Sequence, residues 1–82
     1  MMPCTDILHD LVKKQNAAAH LLAEGKAVDE RIAQLQAAKP VDQAQIDELK
    51  ARRADIRKRL EALREEIAGI HQDFQDCIAG NM

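Results

Sequence analysis

With 82 residues, of which 46% are hydrophobic but only one is Phe and none is Trp or Tyr, the chain has room for one small domain, residues 1–82. Its apolar content is chiefly Ala, Leu and Ile. That composition disfavours strand-rich folds, which draw on aromatic and β-branched residues, and a formal net charge of −2 disfavours a dedicated nucleic-acid or anionic-membrane binder. No apolar run approaches the roughly 20 residues of a membrane span. The first 14 residues lack the basic start and apolar core of a secretory signal, so the expected location is the cytoplasm.

The chain opens on Met1 to Thr5, where Pro3 suits a first helical position and Thr5 suits an N-cap. From there Ile7, Leu11, Ala18, Leu21, Val28, Ile32 and Leu35 recur in heptad steps, with Lys14 and Gly25 in the two remaining slots. This predicts a first helix over about residues 6–38. Residues 39–42, Lys-Pro-Val-Asp, form the break, because Pro40 cannot continue a helix and pushes Lys39 toward extended geometry. Asp42 followed by Gln45 reads as a capping box, and Val41 with Ile46 as a hydrophobic staple.

The second helix, about residues 43–78 with Gly80-Asn81 as its expected stop, carries the stronger stripe: Ile46, Leu49, Arg53, Ile56, Leu60, Leu63, Ile67, Ile70, Phe74 and Cys77. These are five heptads with one polar interruption. Two helices of matching length and a short link predict an all-α, antiparallel coiled-coil hairpin. Centring the turn at Pro40-Val41 pairs positions whose numbers sum to 81: Leu35/Ile46, Ile32/Leu49, Val28/Arg53, Gly25/Ile56, Leu21/Leu60, Ala18/Leu63, Lys14/Ile67, Leu11/Ile70, Ile7/Phe74 and Cys4/Cys77. Flanking charges fit this register only in part. Asp29 beside Lys50 and Glu24 beside Arg59 are favourable, whereas Arg31 beside Arg52 and Asp10 beside Asp73 are like-charged.

A hairpin leaves a second apolar stripe on the first helix uncovered: Leu8, Val12, Ala19 and Leu22. Small side chains at Ala17, Ala18 and Ala23 would let another helix come close. The expectation is an interface, either with a second copy in a four-helix bundle or with a partner protein. A chain this short gains only about 3–5 kcal/mol from a single core, so association is a natural supplement. Self-association is the favoured use.

Arg53 is expected to fix register from within the seam, its guanidinium reaching out to Asp29 or another acid. Cys4 and Cys77 share the last layer, either as a disulfide in an oxidising compartment or as two reduced small hydrophobes; the cytoplasmic expectation favours thiols. Adding His9 or His71 would make a zinc set only without the usual CxxC or HxxxH spacing, so no metal and no cofactor is expected.

Catalysis is not indicated. The chain has no Ser and no Tyr, its His residues have no triad partners, and adjacent acids such as Glu65-Glu66 point to different sides of a helix. The reading is therefore a non-catalytic helical-hairpin adaptor, chaperone or assembly factor. The alternative is RNA binding by a dimer of hairpins through Arg52, Arg57, Lys58 and Arg59. Against it stand the interleaved acids Glu48, Asp55 and Glu61 and the lack of aromatic residues for base stacking.

Overall fold

The computed structural model describes residues 4–80. Among them are two helices and no strand: α1 spans Cys4–Ala37 and α2 spans Gln43–Gly80. Both are rich in Ala, Leu, Glu, Lys and Arg, the residues that lose least on entering a helix, and neither contains an internal proline. They pack against each other as a rod of 64 × 14 × 14 Å.

The link is short and its start and end have identifiable causes. Ala38 N–H still donates to the Gln34 carbonyl at 3.1 Å, completing the last turn of α1 before Pro40, which has no N–H to continue it. On the far side, the Asp42 carboxylate accepts from the backbone N–H of Gln45 at 3.2 Å, and its carbonyl accepts from Ile46 N–H at 3.2 Å. Asp42 is therefore the N-cap of α2, satisfying a donor that the first helical turn leaves open. Val41 remains 49% exposed while Ile46 is 1% exposed. The burial of Ile46 thus comes from the interhelical layers rather than from a staple.

The packing follows the seam closely. Among the described residues, ten on α1 and ten on α2 are withdrawn from solvent, and they are the expected seam: Cys4, Ile7, Leu11, Lys14, Ala18, Leu21, Gly25, Val28, Ile32 and Leu35 on α1, and Ile46, Leu49, Arg53, Ile56, Leu60, Leu63, Ile67, Ile70, Phe74 and Cys77 on α2. Every other described position is exposed. The Cys4–Cys77 pair, at a Cα separation of 5.8 Å, fixes the far end of that register, and Gly25 fixes its middle, since a Cβ placed on it would lie 3.6 Å from Ile56 Cγ2.

Burial is uneven along the rod. Val28, Ile32, Leu35, Ile46 and Ile56 form the buried cluster, with Leu21, Leu49 and Leu60 packed on it. All lie toward the turn. Toward the open end Leu11 is buried, at 6% exposure, while Ile7, Leu63, Ile67, Ile70 and Phe74 are only partly covered.

Several local expectations need correction. Thr5 lies inside α1 rather than capping it, because the helix already includes Cys4; Pro3 falls outside the described residues. Gly80 is the last residue of α2 and is helical rather than in a left-handed cap conformation; Asn81 is outside the described residues. The flanking charges pair differently as well. Glu24 reaches Arg52 at 4.0 Å while Arg59 turns to Asp55 at 3.0 Å within its own helix, and Asp29 meets Arg53 at 3.2 Å instead of Lys50. Long side chains with several rotamers choose among acids one turn apart at little cost, so the seam rather than the rim determines alignment.

Ile56→Ala should lower stability by about 2–5 kcal/mol, as for a fully packed aliphatic residue. Gly25→Ala should raise it by up to about 1 kcal/mol, because its added methyl meets Ile56 at ordinary contact distance and removes a flexible residue mid-helix. Urea denaturation of the disulfide-bonded chain followed by circular dichroism checks both, and a destabilising Gly25→Ala would show that the helices lie too close there for the added methyl to fit at ordinary contact distance.

Candidate interaction surface

The Gly25/Ile56 layer shapes the surface beside it. Where α1 presents only a hydrogen, a groove of about 550 Å³ opens between the helices, lined by Leu22, Gly25, Ala33, Ile56 and Leu60 with Lys26, Asp29, Glu30, Arg53 and Arg57 among its rim residues. Leu22 follows the seam residue Leu21, and Arg57 follows Ile56. Their meeting in one groove shows that the positions one residue past these seam positions on both helices share a flank of the rod.

The heptad repeat carries that flank along the molecule. Leu8 lies two heptads before Leu22, and Ile78 lies three heptads after Arg57, so both occupy the same flank, with Val12 one turn from Leu8. Leu8, Val12, Leu22 and Ile78 are exposed at 38%, 46%, 53% and 42%. Only Val41, in the link, joins them among the large exposed hydrophobics of the described residues. Ala19 is exposed between Val12 and Leu22. The stripe expected on the first helix is thus solvent-facing and continuous with the groove. Ile78 was not singled out from sequence, although its place after Cys77 in the heptad was available as a signal.

Arg53 keeps its alkyl stem in the seam opposite Val28, and its Nη1 donates to Asp29 Oδ1 at 3.2 Å, with 31% of the Arg side chain and 55% of the Asp side chain exposed. This arrangement spares the guanidinium the cost of burial while the stem covers apolar surface. Lys14, the other cation in a seam slot, does the same: its Nζ lies 3.0 Å from Glu66 Oε2. No buried polar side chain occurs among the described residues.

Of the four basic residues considered for nucleic acid, Arg52 and Arg57 lie on different flanks, while Arg52 and Arg59, seven apart, share one. Arg57 lines the Gly25 groove, whereas Arg52 lines a shallow groove on the opposite flank with Glu24, Val28, Arg31 and Leu49. Arg59 is engaged by Asp55 within α2, and Lys58 lies on exposed helix surface between Arg57 and Arg59. Residues seven apart return to one side of a helix, but Arg52 and Arg57, five apart, do not.

Cys4 and Cys77 are joined by a disulfide, which corrects the preference for thiols. The cytoplasmic expectation had led to that preference; the geometry of the last layer brings the two sulfurs together regardless of location. No group of three or more His, Cys, Asp or Glu residues that could hold a metal occurs among the described residues. None of the described helices is long and apolar enough to cross a membrane. The chain matches no family model, no curated protein and no solved structure.

Because the Arg53–Asp29 pair is largely solvated, Asp29→Ala should cost less than about 1 kcal/mol. Arg53→Leu should raise stability by roughly 1 kcal/mol by burying a branched side chain against Val28. Paired chemical-denaturation curves test this. A loss of stability in Arg53→Leu would show that the ion pair, not the stem, is what the layer requires.

Proposed function

We propose that the chain is a non-catalytic protein–protein interaction module, a small helical-hairpin adaptor, chaperone or assembly factor that self-associates through the flank of α1 carrying Leu8, Val12, Ala19 and Leu22. The observation that carries this reading is the segregation of exposed aliphatic side chains: four of the five large ones among the described residues lie on a single flank. Scattered surface leucines are ordinary, but an aligned set continuous with an apolar groove is characteristic of a contact surface. A second copy can cover it two-fold symmetrically, giving a four-helix bundle, and a client helix can use the same flank.

The non-catalytic part of the proposal rests on shape. Catalytic acids and bases must converge inside a concave, partly desolvated site. A rod 14 Å thick sends its polar side chains outward and apart, and the walls of the Gly25 groove are aliphatic. The disulfide also bears on location. Such bonds persist in oxidising compartments and are transient in a reducing cytoplasm, so the environment proposed for this module is one where the bond is formed at least part of the time.

Sedimentation equilibrium should find the wild-type chain as a dimer or larger, and the Leu8→Asp/Leu22→Asp variant should associate at least about tenfold more weakly with unchanged helix content. A wild-type chain that remains monomeric at its highest soluble concentration overturns self-association. A double variant that keeps the native assembly moves the interface elsewhere.

A further inference from the structure

The hairpin is built in two unequal halves. Near the turn, the Val28, Ile32, Leu35, Ile46 and Ile56 cluster is buried at 1–8% exposure. Near the open end only Leu11 is buried, and its neighbours Ile7, Ile67, Ile70 and Phe74 keep part of their surface in water. The two halves meet at the weakest layers of the seam. Ala18 contributes one methyl opposite Leu63, and Lys14, opposite Ile67, contributes only its stem, its Nζ turning out to Glu66. Packing free energy therefore passes poorly from one half to the other. The open half ends in the Cys4–Cys77 disulfide, which joins residues 73 apart in sequence at the layer farthest from the turn.

From this arrangement we infer that the Cys4–Cys77 disulfide is a redox latch on the open half alone. When it is closed, residues 4–14 of α1 and 67–80 of α2 are held paired despite their thin core. When it is opened, these segments part while the turn half stays zipped. The freed segments stay continuous with α1 and α2 but lose the tertiary packing that supplies most of a helix's stability, so they fray. Their separation uncovers Ile7, Leu11, Ile67, Ile70 and Phe74 beside the already exposed Leu8, Val12 and Ile78, enlarging the apolar surface at that end.

The exchange partner is a dithiol reductant, small or protein-borne, and both cysteines are only partly covered and so within its reach. Its thiolate attacks one sulfur of the pair, breaking the Cys4–Cys77 bond and forming a mixed disulfide with the attacked cysteine. Its second thiolate then displaces that cysteine. Two electrons and two protons pass to the chain, which ends with two thiols, and the reductant leaves as its own disulfide. The inference depends on the fold and not on the self-association proposed above.

Hydrogen exchange read by mass spectrometry on the full chain tests it, comparing the oxidised form with the form reduced by dithiothreitol and with the Cys4→Ser/Cys77→Ser variant. Reduction should accelerate exchange at least about tenfold in residues 4–14 and 67–80 while changing residues 28–35 and 46–56 by less than about threefold. The serine variant should match the reduced form without reductant, and reoxidation should restore protection. Loss of protection of equal size in both halves, including complete unfolding, overturns the latch, because the bond would then support the hairpin as a whole. So does unchanged exchange at the open end, or failure of the chain to form the Cys4–Cys77 bond in a glutathione-disulfide buffer.

Discussion

One constraint underlies every other feature: the two seams are aligned so that Cys4 meets Cys77 and Gly25 meets Ile56, each pair summing to 81, and the helical period carries that register through the layers between. A shift of the turn by a single position would rotate a whole stripe of Leu and Ile toward water. Each fully buried aliphatic side chain is worth about 1.5–3 kcal/mol, so the penalty for such a slip exceeds anything the surface charges can return. The rim accordingly adapts to the seam: Asp29 pairs one turn along from Lys50, Glu24 pairs two turns from Arg59, and Arg59 turns to an acid of its own helix.

Within that register the layers are not equivalent, and their inequality is where function has room to act. Gly25 opposite Ile56 lets the helix backbones approach and leaves the lateral groove; Arg53 opposite Val28 closes one side of it with a chain that is apolar along its stem and charged at its tip. Ala18 and Lys14 interrupt the core farther out. A uniformly leucine-filled hairpin would be more stable and would offer neither a groove nor a separable end. The departures from ideal packing fall where a partner surface or a change of state would need them.

The architecture was legible in the amino-acid sequence because it depends on periodicity and on one turn, both of which are local signals. Pro40, Asp42 and the spacing of three and four along Ile46 to Cys77 suffice to place the helices and their pairing, to within two residues at each end. The details that escaped depend on things periodicity does not encode. The choice of Arg52 over Arg59 by Glu24 depends on rotamers, whereas the reach of Arg53 to Asp29 follows from its place in the seam. The state of Cys4 and Cys77 was judged from presumed location, whereas the register already brought them into one layer. Ile78 lies past the last seam residue, and the sharing of a groove by Leu22 and Arg57 identifies the flank it belongs to. That same flank argument divides Arg52 from Arg57, which look adjacent when the chain is written as a line.

The elongated form also governs how the molecule diffuses. Its radius of gyration is 18.6 Å, where a compact globule of the same length would have about 12 Å. A single copy therefore drags like a globular protein of considerably greater mass, and size-exclusion elution would report a false dimer. Copy number for this chain can be decided only by methods that weigh the particle rather than gauge its friction.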